Sequence, residues 1–216
     1  MTIIVHHLEN SRSQRILWLL EELGLPYEVE RYARNKATML APPALKAVHP
    51  LGKSPLIEDR GVDSGTGAGR VVAETGAIVE YLVEKADGRF GPPAHRDAVL
   101  RYRQFLHYAE GSLMPPLLLM LVIGKMGLLG RPARPRVQAM IDTHLDFLEA
   151  ELSTRDWFAG DSFTAADVMM SFPLEAARQR GGLDETRPNL LAWLAMIHAR
   201  PAYQRALAKG GPYAFA

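Results

Sequence analysis

The sequence predicts an α/β domain followed by an all-helical one. Three observations carry this reading. Short strand-like runs alternate with amphipathic helical runs through the first 85 residues. Strand signals then cease, and a Gly/Pro-rich break separates the two regimes.

Thr2 to His6 reads as a short buried strand. A helix follows, with Ile16, Leu19, Leu20 and Leu23 on one face and Gly24 as its stop signal. Tyr27 to Arg31 alternates as a second strand, and a polar, weakly periodic stretch leads to Pro50. Ser54 to Glu58 and Arg70 to Ala73 read as two strands joined by a glycine-rich turn from Asp59 to Gly69. Ala77, Ile78, Tyr81 and Leu82 then mark another helix. The order βαβ, link, ββα implies a small mixed four-stranded sheet covered by helices.

Asp87 to Pro93 breaks the pattern, so residues 1–86 form the first domain, 87–93 the linker and 94–216 the helical domain. Three helical faces follow. They are Val99, Tyr102, Leu106, Ala109 and Leu113, then Val137, Ile141, Leu145, Leu148 and Leu152, then Leu190, Leu191, Leu194 and Ile197. Between the last two, Thr164-Ala165-Ala166-Asp167 has the spacing of a capping box, with Phe163 and Val168 at the hydrophobic-staple positions. The residues after it are apolar on all sides, which predicts a central buried helix.

Composition narrows the function. A net charge of +1 gives no drive toward nucleic acid or an anionic membrane. The cluster of Arg31, Arg34 and Lys36 and that of Arg131, Arg134 and Arg136 read as solvated loop charge. With no cysteine, a disulfide framework, a thiolate zinc site and a catalytic cysteine of the chain's own are excluded. Cysteine absence also fits a reducing compartment. The N-terminus lacks a signal-peptide pattern. The apolar stretch Leu113 to Ile123, interrupted by Pro115 and Pro116, reads as too short to cross a bilayer. The seven histidines form no close i, i+4 pair, so no helical metal motif is predicted.

Three segments are placed to carry chemistry. Ser11 and Ser13 lie between the first strand and first helix, where one hydroxyl can cap the helix or steady an anion beside its free N–H groups. In Gly52-Lys53-Ser54-Pro55, Pro55 opens a strand. It is either an ordinary trans proline or a cis one that leaves the Ser54 main chain open to an extended ligand. Glu74-Thr75 stands at a strand-to-helix junction, with Thr75 a suitable N-cap. An acidic side chain beside a helix N-terminus offers a partner to both charges of an α-amino-acid group.

Taken in order, Ser11-Arg12-Ser13-Gln14-Arg15, His49-Pro50-Leu51-Gly52-Lys53-Ser54-Pro55-Leu56, Glu74-Thr75-Gly76-Ala77-Ile78 and Phe163-Thr164-Ala165-Ala166-Asp167 resemble the glutathione transferase family. The resemblance implies a thioredoxin-like first domain and a helical-bundle second domain. It implies that Ser11, or alternatively Ser13 or Asn10, contacts the glutathione sulfur. It also implies that Ser54, before a cis Pro55, pairs its main chain with the cysteinyl part. Glu74 and Thr75 would hold the γ-glutamyl end, and Lys53 would approach a carboxylate. Tyr108, in a stretch resembling bacterial and fungal members, is a candidate for the second-substrate pocket or else a core aromatic. Ser54 departs from the aliphatic residue usual before that proline. The implied protein is a cytoplasmic homodimer that uses glutathione as co-substrate against a small apolar electrophile, needs no metal, and engages neither nucleic acid nor membrane. Glutathione-dependent disulfide or peroxide reduction and noncatalytic ligand binding are the alternatives.

Overall fold

A computed structural model of the chain describes residues 2–62 and 69–215. Strand β1 (Ile3–Leu8) is buried along its whole length, the pattern of a strand covered on both faces. It pairs in parallel with β2 (Tyr27–Tyr32) and antiparallel with β3 (Leu56–Asp59). β3 pairs antiparallel with β4 (Arg70–Ala73), giving the order β2-β1-β3-β4. This is the mixed four-stranded sheet that the alternation of elements predicts.

A parallel pair needs a crossover, and α1 (Ser13–Leu23) supplies it. Its apolar face buries Ile16, Leu19, Leu20 and Leu23, and the helix stops at Gly24, whose φ of 62° suits the left-handed cap. A five-residue helix, α2 (Ala44–Val48), lies in the stretch that showed little periodicity. One and a half turns are too few to display a helical repeat. α3 (Thr75–Lys85) follows β4. β3 begins two residues later than its hydrophobic pattern suggests, because Pro55 has no N–H to give a ladder. Residues 63–68, most of the turn expected between Asp59 and Gly69, lie outside the described residues.

The chain divides into two units, Met1–Gly91 with Arg200–Ala214, and Pro92–Ala199 with Phe215–Ala216. The first gains a helix that no local signal assigns to it. α9 (Pro201–Gly210) lies on α1, with Tyr203 edge-to-face against Trp18 at 5.3 Å. Arg200 holds both carboxylate oxygens of Glu22 at 2.6 and 3.0 Å, and Arg205 and Lys209 each reach Glu21 at 2.7 Å.

The second unit contains α4 (Arg96–Tyr108), a π turn (Ala109–Leu113), α5 (Met114–Lys125), a 3₁₀ segment (Gly127–Ala133), α6 (Arg134–Leu152), α7 (Ala165–Arg180) and α8 (Pro188–His198). α4, the π turn and α5 run on without a break. The resulting 30-residue helix, Arg96–Lys125, is long and apolar enough to cross a membrane by length and composition alone. This corrects the shorter estimate drawn from Leu113 to Ile123. Pro115 and Pro116 do not end the helix, because they fall in the first turn of α5, directly after a π turn. The run carries Arg101, which pairs with Glu151 on α6 and donates to the Phe158 carbonyl at 3.0 Å, as expected of a bundle helix.

α7 is buried on all sides for most of its length. Its start is the reciprocal capping box that Thr164 and Asp167 predict, with both bonds formed. Asp167 accepts from the Thr164 N–H at 2.9 Å, and its other oxygen accepts from the Phe158 N–H at 3.0 Å.

Candidate functional site

Sheet topology brings three distant segments to one edge. β1 and β4 run in the same direction, with β3 antiparallel between them. His6 pairs with Leu56, and Leu56 with Ala73. The chain leaving β1, the chain arriving at β3 and the chain leaving β4 therefore meet at the same end of the sheet. These are the segments that contain Ser11, Ser54 and Glu74.

The turn after β1 is held from several sides. Asn10 has a φ of 50°, which asparagine tolerates better than most residues. Its side-chain oxygen accepts the Ala214 N–H at 2.8 Å, and its carbonyl accepts from Arg34 at 3.2 Å. Arg34 also donates to the carbonyls of Glu9 at 3.0 Å and Met39 at 2.8 Å, and its own N–H reaches the Glu9 carboxylate at 2.8 Å. Arg34 is thus a clamp on this turn, and its reading as solvated loop charge is corrected. A count of charges cannot anticipate carbonyls that only the fold assembles.

Ser11 and Ser13 are both buried, with their hydroxyl oxygens 2.7 Å apart. The Ser13 N–H donates to Ser11 Oγ at 3.3 Å. Ser13 Oγ in turn lies 2.9 Å from His7 Nδ1 and 3.4 Å from the Leu8 carbonyl. His7 faces Arg31 across the β1–β2 ladder. Burial, with the Arg31 charge added, pushes its pKa down to about 4, so the ring is neutral at pH 7. The sequence shows His7 only as one of two adjacent histidines in a strand and gives no sign of this contact.

At β3, Ser54 and Pro55 are joined by a cis peptide. Pro55 is buried and Lys53 exposed. The Ser54 hydroxyl donates to the His6 carbonyl at 2.9 Å and accepts the Leu8 N–H at 3.3 Å. It thereby extends the β1–β3 ladder past Leu56, where a proline cannot. A side-chain role at this position is not legible in the sequence, which directs attention to the main chain.

At the end of β4, Glu74 is the N-cap of α3 and Thr75 its first helical residue, one step on from the cap position expected for Thr75. Glu74 is exposed, with φ 69° and ψ 125°. A non-glycine residue held there costs about 1–3 kcal/mol, and such residues concentrate at functional sites. Thr75 is buried.

Tyr108 lies in the second unit, on the last turn of α4 before the π turn. Its hydroxyl is 2.5 Å from His144 Nδ1, and its ring contacts Phe105 and Phe147 at 5.9 and 5.8 Å. Burial raises its pKa to about 12. It is a half-buried aromatic with a committed hydroxyl. Two cavities of this unit, about 170 and 310 Å³, are lined by other residues.

Comparisons with known proteins agree with this fold. The family model described as glutathione S-transferase, N-terminal domain, matches residues 11–85, and the corresponding C-terminal domain model matches residues 131–195. Glutathione S-transferase 3 of Schizosaccharomyces pombe is 36% identical over 96% of this chain and 87% of its own length. The solved structure of a glutathione S-transferase from Actinobacillus pleuropneumoniae aligns with a TM-score of 0.85 at 35% identity, covering 99% of this chain and 95% of that one. A glutathione transferase of Burkholderia graminis, solved with two glutathione molecules bound per subunit, aligns with a TM-score of 0.80 at 25% identity, covering 95% and 87%.

Proposed function

The chain belongs to the glutathione S-transferase family, and from that premise we propose that its first unit ionises the glutathione thiol at Ser11 for attack on a small apolar electrophile. The observation that carries this reading is the meeting of Ser11, Ser54-Pro55 and Glu74-Thr75 at one end of the sheet. In the proposed complex, the Ser54 main chain pairs with the cysteinyl part of glutathione. Glu74 and Thr75 hold the γ-glutamyl group, with the Glu74 carboxylate on its ammonium and the α3 N-terminus near its carboxylate. Lys53, exposed beside them, meets the remaining carboxylate. Asn10 and Ser13 are the alternative partners for sulfur; the Asn10 side-chain oxygen accepts the Ala214 N–H, which leaves its NH₂ as the donor.

Thiol ionisation is the chemical task. An unperturbed thiol titrates near ~8.5, so only about 3% is thiolate at pH 7. Lowering that value by about two units takes ~1.4 kcal/mol per unit, which a charge-assisted hydrogen bond and a helix N-terminus together supply. The thiolate then forms a carbon–sulfur bond as the electrophile's leaving group departs with its electron pair, and the displaced thiol proton passes to solvent. Tyr108 borders the electrophile's pocket in this proposal. The working form is a cytoplasmic homodimer, consistent with the frequency of two-fold assemblies.

A steady-state assay of the purified chain with glutathione, using a generic aryl halide in one arm and a peroxide in the other, tests the reading. A thioether product is expected. Oxidised glutathione formed only with the peroxide would favour reduction instead, and turnover in neither arm would leave a binding protein.

A further inference from the structure

His7 has no place in the scheme above. We infer that His7 is a positioning residue that sets the direction of the hydroxyl hydrogen bonds at the thiol site. It holds Ser13 as a donor to its imidazole, so that Ser11 is the one hydroxyl of the pair with a proton that can turn toward sulfur. The inference rests on the reading of Ser11 as the partner of sulfur.

Donor–acceptor accounting leads to it. The main chain of Gly210 bonds the His7 ring in the sense that favours its protonated form. Only a carbonyl does so, hence the ring nitrogen facing Gly210 bears a hydrogen. Gly210 closes tightly on the start of α1, where an added Cβ would lie 2.5 Å from Gln14 Oε1. Since Nδ1 faces Ser13 Oγ at 2.9 Å, the hydrogen toward Gly210 is on Nε2. A second ring hydrogen is disfavoured by burial and by Arg31, the charged group acting on the imidazole; Arg31 itself donates to the Lys209 carbonyl. Nδ1 therefore offers a lone pair.

A serine hydroxyl has one proton to give. That of Ser13 goes to Nδ1, so the 2.7 Å contact between the two serines is donated by Ser11. The Ser13 N–H also donates to a lone pair of Ser11. In the free protein, the Ser11 proton is thus turned inward onto Ser13. When a thiolate arrives, the Ser11 O–H swings outward, exchanging a neutral hydrogen bond for a charge-assisted one, and no proton leaves Ser13 or His7. The inward bond competes with thiolate stabilisation.

The sign of the consequence separates this role from a merely structural one. Removing the inward acceptor in Ser13→Ala leaves the Ser11 proton free for sulfur. The thiol pKa of bound glutathione should therefore fall by about 0.5–1 unit, the shift that corresponds to one neutral hydrogen bond. His7→Leu should act in the same direction, because the Ser13 proton then turns to Ser11, its nearer acceptor at 2.7 Å against 3.4 Å for the Leu8 carbonyl, and frees the Ser11 proton. A loosened site would raise that pKa.

The experiment is a titration of thiolate absorbance in glutathione complexes of wild type, Ser11→Ala, Ser13→Ala and His7→Leu. ¹⁵N NMR of the His7 ring in the wild-type protein provides a measurement that needs no substitution. Expected are a raised pKa for Ser11→Ala, a lowered one for Ser13→Ala and for His7→Leu if it folds, and an Nε2–H tautomer. An unchanged or raised pKa in Ser13→Ala beside a raised one in Ser11→Ala overturns the inference and leaves Ser11 in place. An Nδ1–H tautomer also overturns it. A wild-type titration in Ser11→Ala removes the underlying reading and this inference with it.

Discussion

Asp167 offers a test of the fold at a single carboxylate. It is fully buried, and its oxygens accept from the Phe158 N–H at 3.0 Å, the Thr164 N–H at 2.9 Å and the Thr164 hydroxyl at 3.1 Å. Asp167→Asn keeps the shape but leaves one oxygen. If that oxygen keeps Thr164, the new NH₂ faces the Phe158 N–H, donor against donor. One charge-assisted bond is lost and one buried N–H is stranded, for a combined cost of about 2–4 kcal/mol. The pH dependence has a defined sign. Burial raises the Asp167 pKa from 3.8 to about 6, so the folded state binds this proton more tightly than the unfolded state does. Its contribution to stability therefore grows as pH falls through about 6 toward 4. Between about pH 7.5 and pH 5 the gain is about 1.4 kcal/mol, and asparagine, which does not titrate, lacks it. Urea unfolding followed by the fluorescence of Trp157 and Trp193 at both pH values gives the two stabilities. A wild-type advantage below about 1 kcal/mol at pH 7.5 would refute the capping account. An advantage that narrows in acid would refute the raised pKa.

Three further outcomes are expected. Glu74→Ala should weaken glutathione binding by about 1–3 kcal/mol in calorimetry, the range for hydrogen bonds to a charged group; unchanged affinity would remove Glu74 from the site. Tyr108→Phe should alter KM for the electrophile while leaving glutathione affinity in place, and steady-state kinetics with each substrate varied in turn will separate the two. Light scattering at micromolar concentration should give twice the 23.9 kDa chain mass, and a particle of single-chain mass would count against the homodimer.

What the sequence shows and what it hides follow from the range of the interactions. α1 is written locally, since its hydrophobic repeat is the face that it buries. α3 is written in part: Ile78 and Leu82 of its expected face are buried, but Val79 and Val83 take the places of Ala77 and Tyr81. The capping box of α7 is equally local, spanning Thr164 to Asp167, and both of its bonds form. α9 is different. Its place on α1 depends on Tyr203 meeting Trp18 and on Arg200 meeting Glu22, partners about 180 residues apart in the chain that no window of periodicity contains. The site divides in the same way. Ser11, Ser54 and Glu74 can be singled out because each stands at an element boundary with a residue type suited to it. Their convergence then follows from strand order. The roles of His7 and Arg34 escape notice because they lie in contacts with Ser13 and with the carbonyls of Glu9, Asn10 and Met39, which the folded turn alone brings together. The Ser54 hydroxyl escapes for a related reason: it substitutes for a ladder bond whose absence is apparent only once β3 is seen to start after Pro55.

The central claim is that the Ser11 hydroxyl stabilises the thiolate of bound glutathione. Titrating thiolate absorbance of the glutathione complex in wild type and Ser11→Ala measures this directly. The account predicts a pKa raised by about one unit or more in Ser11→Ala, equivalent to ~1.4 kcal/mol, with turnover at neutral pH reduced about tenfold and glutathione affinity changed much less. Superimposable titrations with wild-type turnover would contradict it.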